Sequence, residues 1–233
     1  MEKLQREDFL TPVHKGLRSI IYDTGKHLQT NDFADRAATD ALCLQLDYNF
    51  RTASSACMLC WLSSHASDEN DFVFSQMKSR EPELIETLLR EHEIIEKKLD
   101  EITSASQSLK ATEDLERRNE MGRELNLRAN DLFAYYITHM NKEEAMLIPS
   151  LEKHFTNEQL HEVRSAIMRR APPDRMAIML GYIVNSLNMN ELTEFVSGLK
   201  KEMPPPAFEG VAKLIEHSIG SERWAIVGTR MNS

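Results

Sequence analysis

The stretch "YYITHMNKEEAMLIP", residues 135–149, decides the reading of this chain. Apolar positions recur there and just before it at helical spacing. Leu125, Ala129, Leu132, Tyr136 and Met146 share one face, and Pro149 lies near the helix end. His139 and Glu143 stand on the same core-facing stripe, four residues apart and therefore one above the other. Polar groups placed in a core are costly unless something satisfies them. The remaining helices supply partners. "HASDENDFVF" (65–74) repeats the pattern, with His65 and Glu69 on a stripe shared by Met58, Leu62 and Phe72. His14 joins Leu17, Ile21 and Leu28 on one face, and His92 joins Leu84, Leu88, Glu96, Leu99 and Ile102 on another. The chain therefore reads as two copies of a histidine followed by His-x-x-x-Glu.

Punctuation separates these helices. Thr11-Pro12 offers a capping hydroxyl and a proline for a helix start. "QTNDFADRAATD" (29–40) is a polar break, "KSREP" (78–82) ends the second helix with Pro82 opening the third, and "SASQSLKATED" (104–114) is a second break. Four long amphipathic helices with short polar connections predict an all-α, up-down-up-down four-helix bundle over residues 1–155. Antiparallel neighbours reach one height only when equidistant from the turn between them. The midpoints of His14/His65, His65/His92 and His92/His139 fall at 39–40, 78–79 and 115–116, at or beside these breaks. All four histidines are thus expected in one layer.

Composition narrows the function. The chain has 233 residues, 41% hydrophobic and 28% charged, with only 8 Gly and 8 Pro. That balance favours long helices over many tight turns. A net charge of −9 argues against binding nucleic acid or an anionic membrane. The sequence has no run of about 18 apolar residues to span a bilayer, and "MEKLQREDFLTP" lacks the apolar core of a signal peptide. Three cysteines, Cys43, Cys57 and Cys60, give no disulfide framework and suit the cytoplasm. Cys57 and Cys60 form C-x-x-C, but two thiols alone do not complete a zinc site, and small buried thiols on a helix are the expected reading.

Imidazoles suit iron, zinc and copper, and carboxylates bridge paired hard ions. Two metals taking two histidines each, with Glu69 and Glu143 spanning both, match the way helix bundles build dinuclear sites. The segments "PVHKGLR", "HASDENDFVF", "REHEIIEKKL" and "HMNKEEAMLIP" resemble the hemerythrin-like (HHE cation-binding) domain over roughly residues 8–155. The resemblance implies a non-haem di-iron centre, with His14 and His65 on one iron, His92 and His139 on the other, and Glu69 and Glu143 as bridges. Zinc and manganese are substitutes for such a site. Oxygen-carrying members have a further histidine where this chain has Glu96, and Asp five residues after the last histidine where it has Glu143 after four. This sequence is more similar to sensor, iron-centre-repair and iron-sensing members. Glu96 either coordinates or pairs with a lysine at the stripe's edge. Extra carboxylate favours ferric iron. The implied small ligand is oxygen, peroxide or nitric oxide, with iron sensing, storage or donation, or a metal-free scaffold, as the competing classes.

Other polar residues are expected elsewhere. Glu144 and Asp68 point off the stripe. His27 lies on the opposite face from His14 at 100° per residue, and His154, His161 and His217 follow the last ligand motif. Tyr136, one turn before His139, lines the metal pocket, donates a hydrogen bond there, or simply packs. Residues 156–233 read as a helical extension. "TNEQ" (156–159) is a capping box, Pro172-Pro173 and Pro204-Pro205-Pro206 punctuate, and Met168, Met176, Met179, Leu180, Ile183, Phe195 and Leu199 supply apolar faces. Capping the bundle, gating the metals and forming a homodimer surface are the three roles open to it.

Overall fold

The computed structural model describes residues 8–47 and 58–231. Among them the chain is helical and has no strand. Helix α1 spans Leu10–Thr30 and α2 spans Arg36–Leu46. Helix α3 begins with Met58–Asp68, passes through a π-helical segment, Glu69–Phe74, and closes with Ser75–Met77. Helix α4 is Pro82–Ala111. Helix α5 runs Leu115–Lys142, becomes π-helical over Glu143–Leu147, and continues as Ile148–His154. Then follow α6 (Asn157–Arg170), α7 (Pro173–Ser186), α8 (Met189–Glu202), α9 (Pro205–Ile219) and α10 (Ser221–Met231). Helices α1, α3, α4 and α5 are the four of the expected all-α bundle. No described helix is long and apolar enough to cross a membrane.

The chain divides into two compact units, Met1–Leu10 with Ile20–Arg170, and Thr11–Ser19 with Ala171–Ser233. In the first, α4 packs along α5, α3 packs on α4, and α2 lies against α3 and α4. Each start has a local cause. Pro82 occupies the first turn of α4. Asp35 and Asp114 cap α2 and α5 by accepting the Ala38 and Arg117 amides at 3.1 and 2.9 Å. Gly122 in mid-helix is explained by Phe33, whose ring lies where a Cβ would stand, only 2.2 Å away. At one end Phe74, Met77, Ile85, Leu88, Leu147 and Leu151 form a buried cluster. Each such side chain contributes about 1.5–3 kcal/mol of burial. In the second unit α9 packs on α7 and α10, and α8 on α10. Asn188 and Glu191 make a capping box at the start of α8.

Several expectations are corrected. The first polar break contains α2, whose Leu42, Cys43 and Leu46 are buried. The second break is mostly helix: α4 persists to Ala111, so the turn is only 112–114. Helix α1 starts at Leu10, one residue before Thr11, and the Asp8 carboxylate accepts the Leu10 amide at 3.1 Å. Phe72 and Met146, expected on the buried stripes, are half-buried and 51% exposed respectively, while Val73 and Leu147 are buried. The cause is the π turn. Ser75 donates to the Asn70 carbonyl and Ile148 to the Glu143 carbonyl, five residues back. The additional residue moves the core face one position along the chain. Met168 is 42% exposed. The "TNEQ" box forms as expected, Thr156 and Gln159 exchanging side-chain to backbone bonds of 3.3 and 2.9 Å.

Candidate metal centre

Five of the expected ligands come from three adjacent helices of the first unit. His65 is on α3, His92 on α4 and His139 on α5. Glu69 and Glu143 are the first residues of the two π-helical segments. All are buried, the glutamates to 1% and 0% exposure. His65 Nε2 lies 3.3 Å from Glu69, and His139 Nε2 lies 3.1 Å from Glu143. His92 Nε2 reaches both carboxylates, at 3.5 and 3.9 Å. Ligand-capable atoms of Glu69, His92, His139 and Glu143 all fall within 4.8 Å of one another. His65, Glu69 and Glu143 form a second such group, and His14, on the part of α1 that belongs to the second unit, is itself fully buried. The two groups share both glutamates.

The outer faces of two imidazoles are held. His92 Nδ1 is 2.7 Å from the side-chain oxygen of Asn70, and His139 Nδ1 is 2.8 Å from Glu91 Oε2. An oxygen acceptor requires each Nδ1 to carry the proton. Both Nε2 atoms then point lone pairs inward, and they stand 2.8 Å apart. Two facing lone pairs beside two buried carboxylates form a pocket for positive charge. The donor set of imidazole and carboxylate fits iron, manganese or zinc. The protein's own proton affinities move the same way. Burial pulls the His139 pKa down, but hydrogen bonding and charge from Glu143, with Glu69 and Glu91 behind, outweigh it and raise it. Burial pushes Glu91 up, while bonds from Lys142 and His139 bring it below the ordinary carboxylate range.

Aromatic side chains wall the layer. Phe74 stacks on His92 with centroids 5.0 Å apart, and Tyr136 meets His139 edge-on at 6.2 Å. The Tyr136 hydroxyl donates to the Leu62 carbonyl at 2.9 Å. Burial, and then the charges of Glu69, Glu143 and Glu96, keep that phenol protonated.

Glu96 is not brought into either group. It is exposed and accepts a hydrogen bond from Ser63 at 3.1 Å. The buried stripe of α4 advances by alternating steps of three and four, through His92, Ile95 and Leu99, so Glu96 falls beside it. His27 is exposed and bonds Gln45, and His154 bonds Glu81. Neither they nor His161 nor His217 belong to these groups. Asp68 pairs with Arg170 at 3.3 Å. Cys57 lies outside the described residues. The Cys43 and Cys60 thiols approach the carbonyls of Ser106 and Asp47 at 3.8 and 3.7 Å. Asn70 and Glu91 were not singled out by the sequence reading. Each directly adjoins a ligand residue, Glu69 or His92, and adjacency on a helix points to a different face.

A family model described as the hemerythrin HHE cation binding domain matches residues 8–151, which include every residue of both groups. No curated protein and no solved structure matches the chain.

Proposed function

This chain belongs to the hemerythrin HHE cation-binding domain family, and from that premise we propose that its buried histidine–glutamate layer holds two iron ions and senses or reacts with oxygen, peroxide or nitric oxide. His14 and His65 would hold one ion and His92 and His139 the other, with Glu69 and Glu143 available to both. The observation that carries the reading is the pair of Nε2 atoms that face each other 2.8 Å apart beside two buried carboxylates. A proton shared between the rings relieves one contact, but cations relieve the whole negatively charged layer. Bound iron would supply one-electron redox chemistry toward a small ligand. The chain's residues do the rest. Asn70 and Glu91 fix which imidazole nitrogen faces inward. Phe74 and Tyr136 keep bulk water away from the layer.

The test is a titration of metal-free protein with ferrous iron under anaerobic conditions. About two ions per chain are expected, as dinuclear bundle sites hold, and no uptake would overturn the reading. Exposure of the loaded protein to oxygen, peroxide and nitric oxide in turn then decides the reactivity. Indifference to all three would replace it with iron sensing, storage or donation.

A further inference from the structure

Glu91 is a half-buried carboxylate with both oxygens committed. Oε2 accepts from His139 Nδ1 at 2.8 Å, and Oε1 accepts from the Lys142 ammonium. Lys142 and His139 lie three residues apart on α5, so both face α4 and share one acceptor there. An ordinary surface ion pair leaves its carboxylate in water and contributes little. Here the Glu91 side chain is 15% exposed and its second oxygen meets an imidazole that is 1% exposed. The corresponding partner of His92 is the neutral amide of Asn70. The two imidazoles whose Nε2 atoms face each other are therefore supported unequally, one by an anion and one by an amide.

We propose that Glu91 is a positioning residue that locks His139 with Nδ1 protonated and makes it the stronger of two unequal imidazole donors, Asn70 holding the weaker. The inference deepens the dinuclear reading and rests on it for its metal-binding consequence. A carboxylate accepting from Nδ1–H pushes electron density toward Nε2, and an amide oxygen does so less. Lys142 aims the carboxylate by occupying its other oxygen.

The test has two readouts. Zinc(II) affinity is measured by competition with a chelator, and the His139 tautomer by nitrogen-15 NMR of the metal-free protein. Glu91→Ala is expected to lower zinc affinity about 10–100-fold, the usual range for such outer partners, and to release His139 from the Nδ1–H form. Glu91→Gln keeps a side-chain oxygen in place and is expected to restore the tautomer but only part of the affinity, because an amide oxygen pushes less electron density toward Nε2 than a carboxylate does. Glu91→Asp keeps the charge for Lys142 but withdraws it from Nδ1, and is expected to behave like Glu91→Ala; it decides the matter if Glu91→Ala does not fold. Affinity within about twofold of the unmodified protein, where about tenfold or more is the expectation, with His139 still in the Nδ1–H form, would overturn the proposal. Should the unmodified protein bind no zinc and no ferrous iron, the dinuclear reading fails on its own. The tautomer in Glu91→Ala then still decides the positioning role, and an unchanged tautomer refutes it.

Discussion

Glu143→Gln gives the most direct measure of how far metal binding and folding are one process. Glu143 is fully buried, sits 3.1 Å from His139 and 3.9 Å from His92, and belongs to both donor groups. The donors come from separate helices, so the unfolded chain offers no preformed site and binding adds to folding stability. An ion at a free concentration of 100 times its Kd contributes about 2.7 kcal/mol, and two ions about 5.4 kcal/mol. In a chain of this size 1 kcal/mol moves Tm by about 2–4 °C, so loading should raise Tm by about 11–22 °C. Glutamine keeps the shape but removes one anionic oxygen from each site. A tenfold loss at both sites removes about 2.8 kcal/mol, or roughly half of that increment. The assay is a pair of thermal melts, metal-free and loaded, for the unmodified protein, Glu143→Gln and Glu144→Gln. Equal increments in all three would refute the assignment of Glu143, since the neighbouring glutamate is in neither group.

Other outcomes follow from the packing. Tyr136→Phe deletes a buried hydrogen bond to Leu62 and should cost about 1 kcal/mol; because the hydroxyl proton is committed to that carbonyl, metal stoichiometry should not change, and a loss of metal would show that the hydroxyl serves the site. Gly122→Ala drives a methyl into the Phe33 ring and should destabilise by about 1–3 kcal/mol or more, read by denaturant midpoint. Glu81, held down to about 2 first by His154 and then by Ser150 and Lys153, has a folded pKa below its unfolded one, so its contribution is present above about 4.5 and is lost as pH falls toward about 2. The Tm difference between the unmodified protein and Glu81→Gln should therefore shrink across that window, and a difference that grows toward acid would contradict the assignment.

The stripes of His14, His65, His92 and His139 were legible because 3.6-residue periodicity places core residues regardless of tertiary detail. What stayed hidden depends on partners distant in the chain or on a local change of helix type. Glu91 reads as an exposed neighbour of His92 until His139 and Lys142 arrive from α5. Glu96 reads as a ligand if the stripe is stepped by fours, and the real path takes Ile95. Helix α2 was concealed by the polar composition of 29–40, although Asp35 is a capping residue and Leu42 and Leu46 are a turn apart. The phase slip at Phe72 and Met146 has no sequence signature, since nothing in either segment announces a five-residue hydrogen bond.

The two π segments also determine where this chain can change length. Removing a residue from an α-helix turns everything beyond it by about 100° and points the core face at solvent. A π segment already carries one residue in excess, so a deletion there closes it to plain α-helix and leaves the downstream face in register. Met146 is the residue to remove, being 51% exposed and followed by buried Leu147. A chain lacking it places Leu147 at ordinary spacing from Glu143, with Leu151 still inward, and should keep its helix content and Tm within a few degrees, about 1 kcal/mol or so. A chain shorter by a single residue within 69–74 or 143–147 would then keep the same architecture, with the register beyond the glutamate unchanged and only the width of the turn that presents it altered.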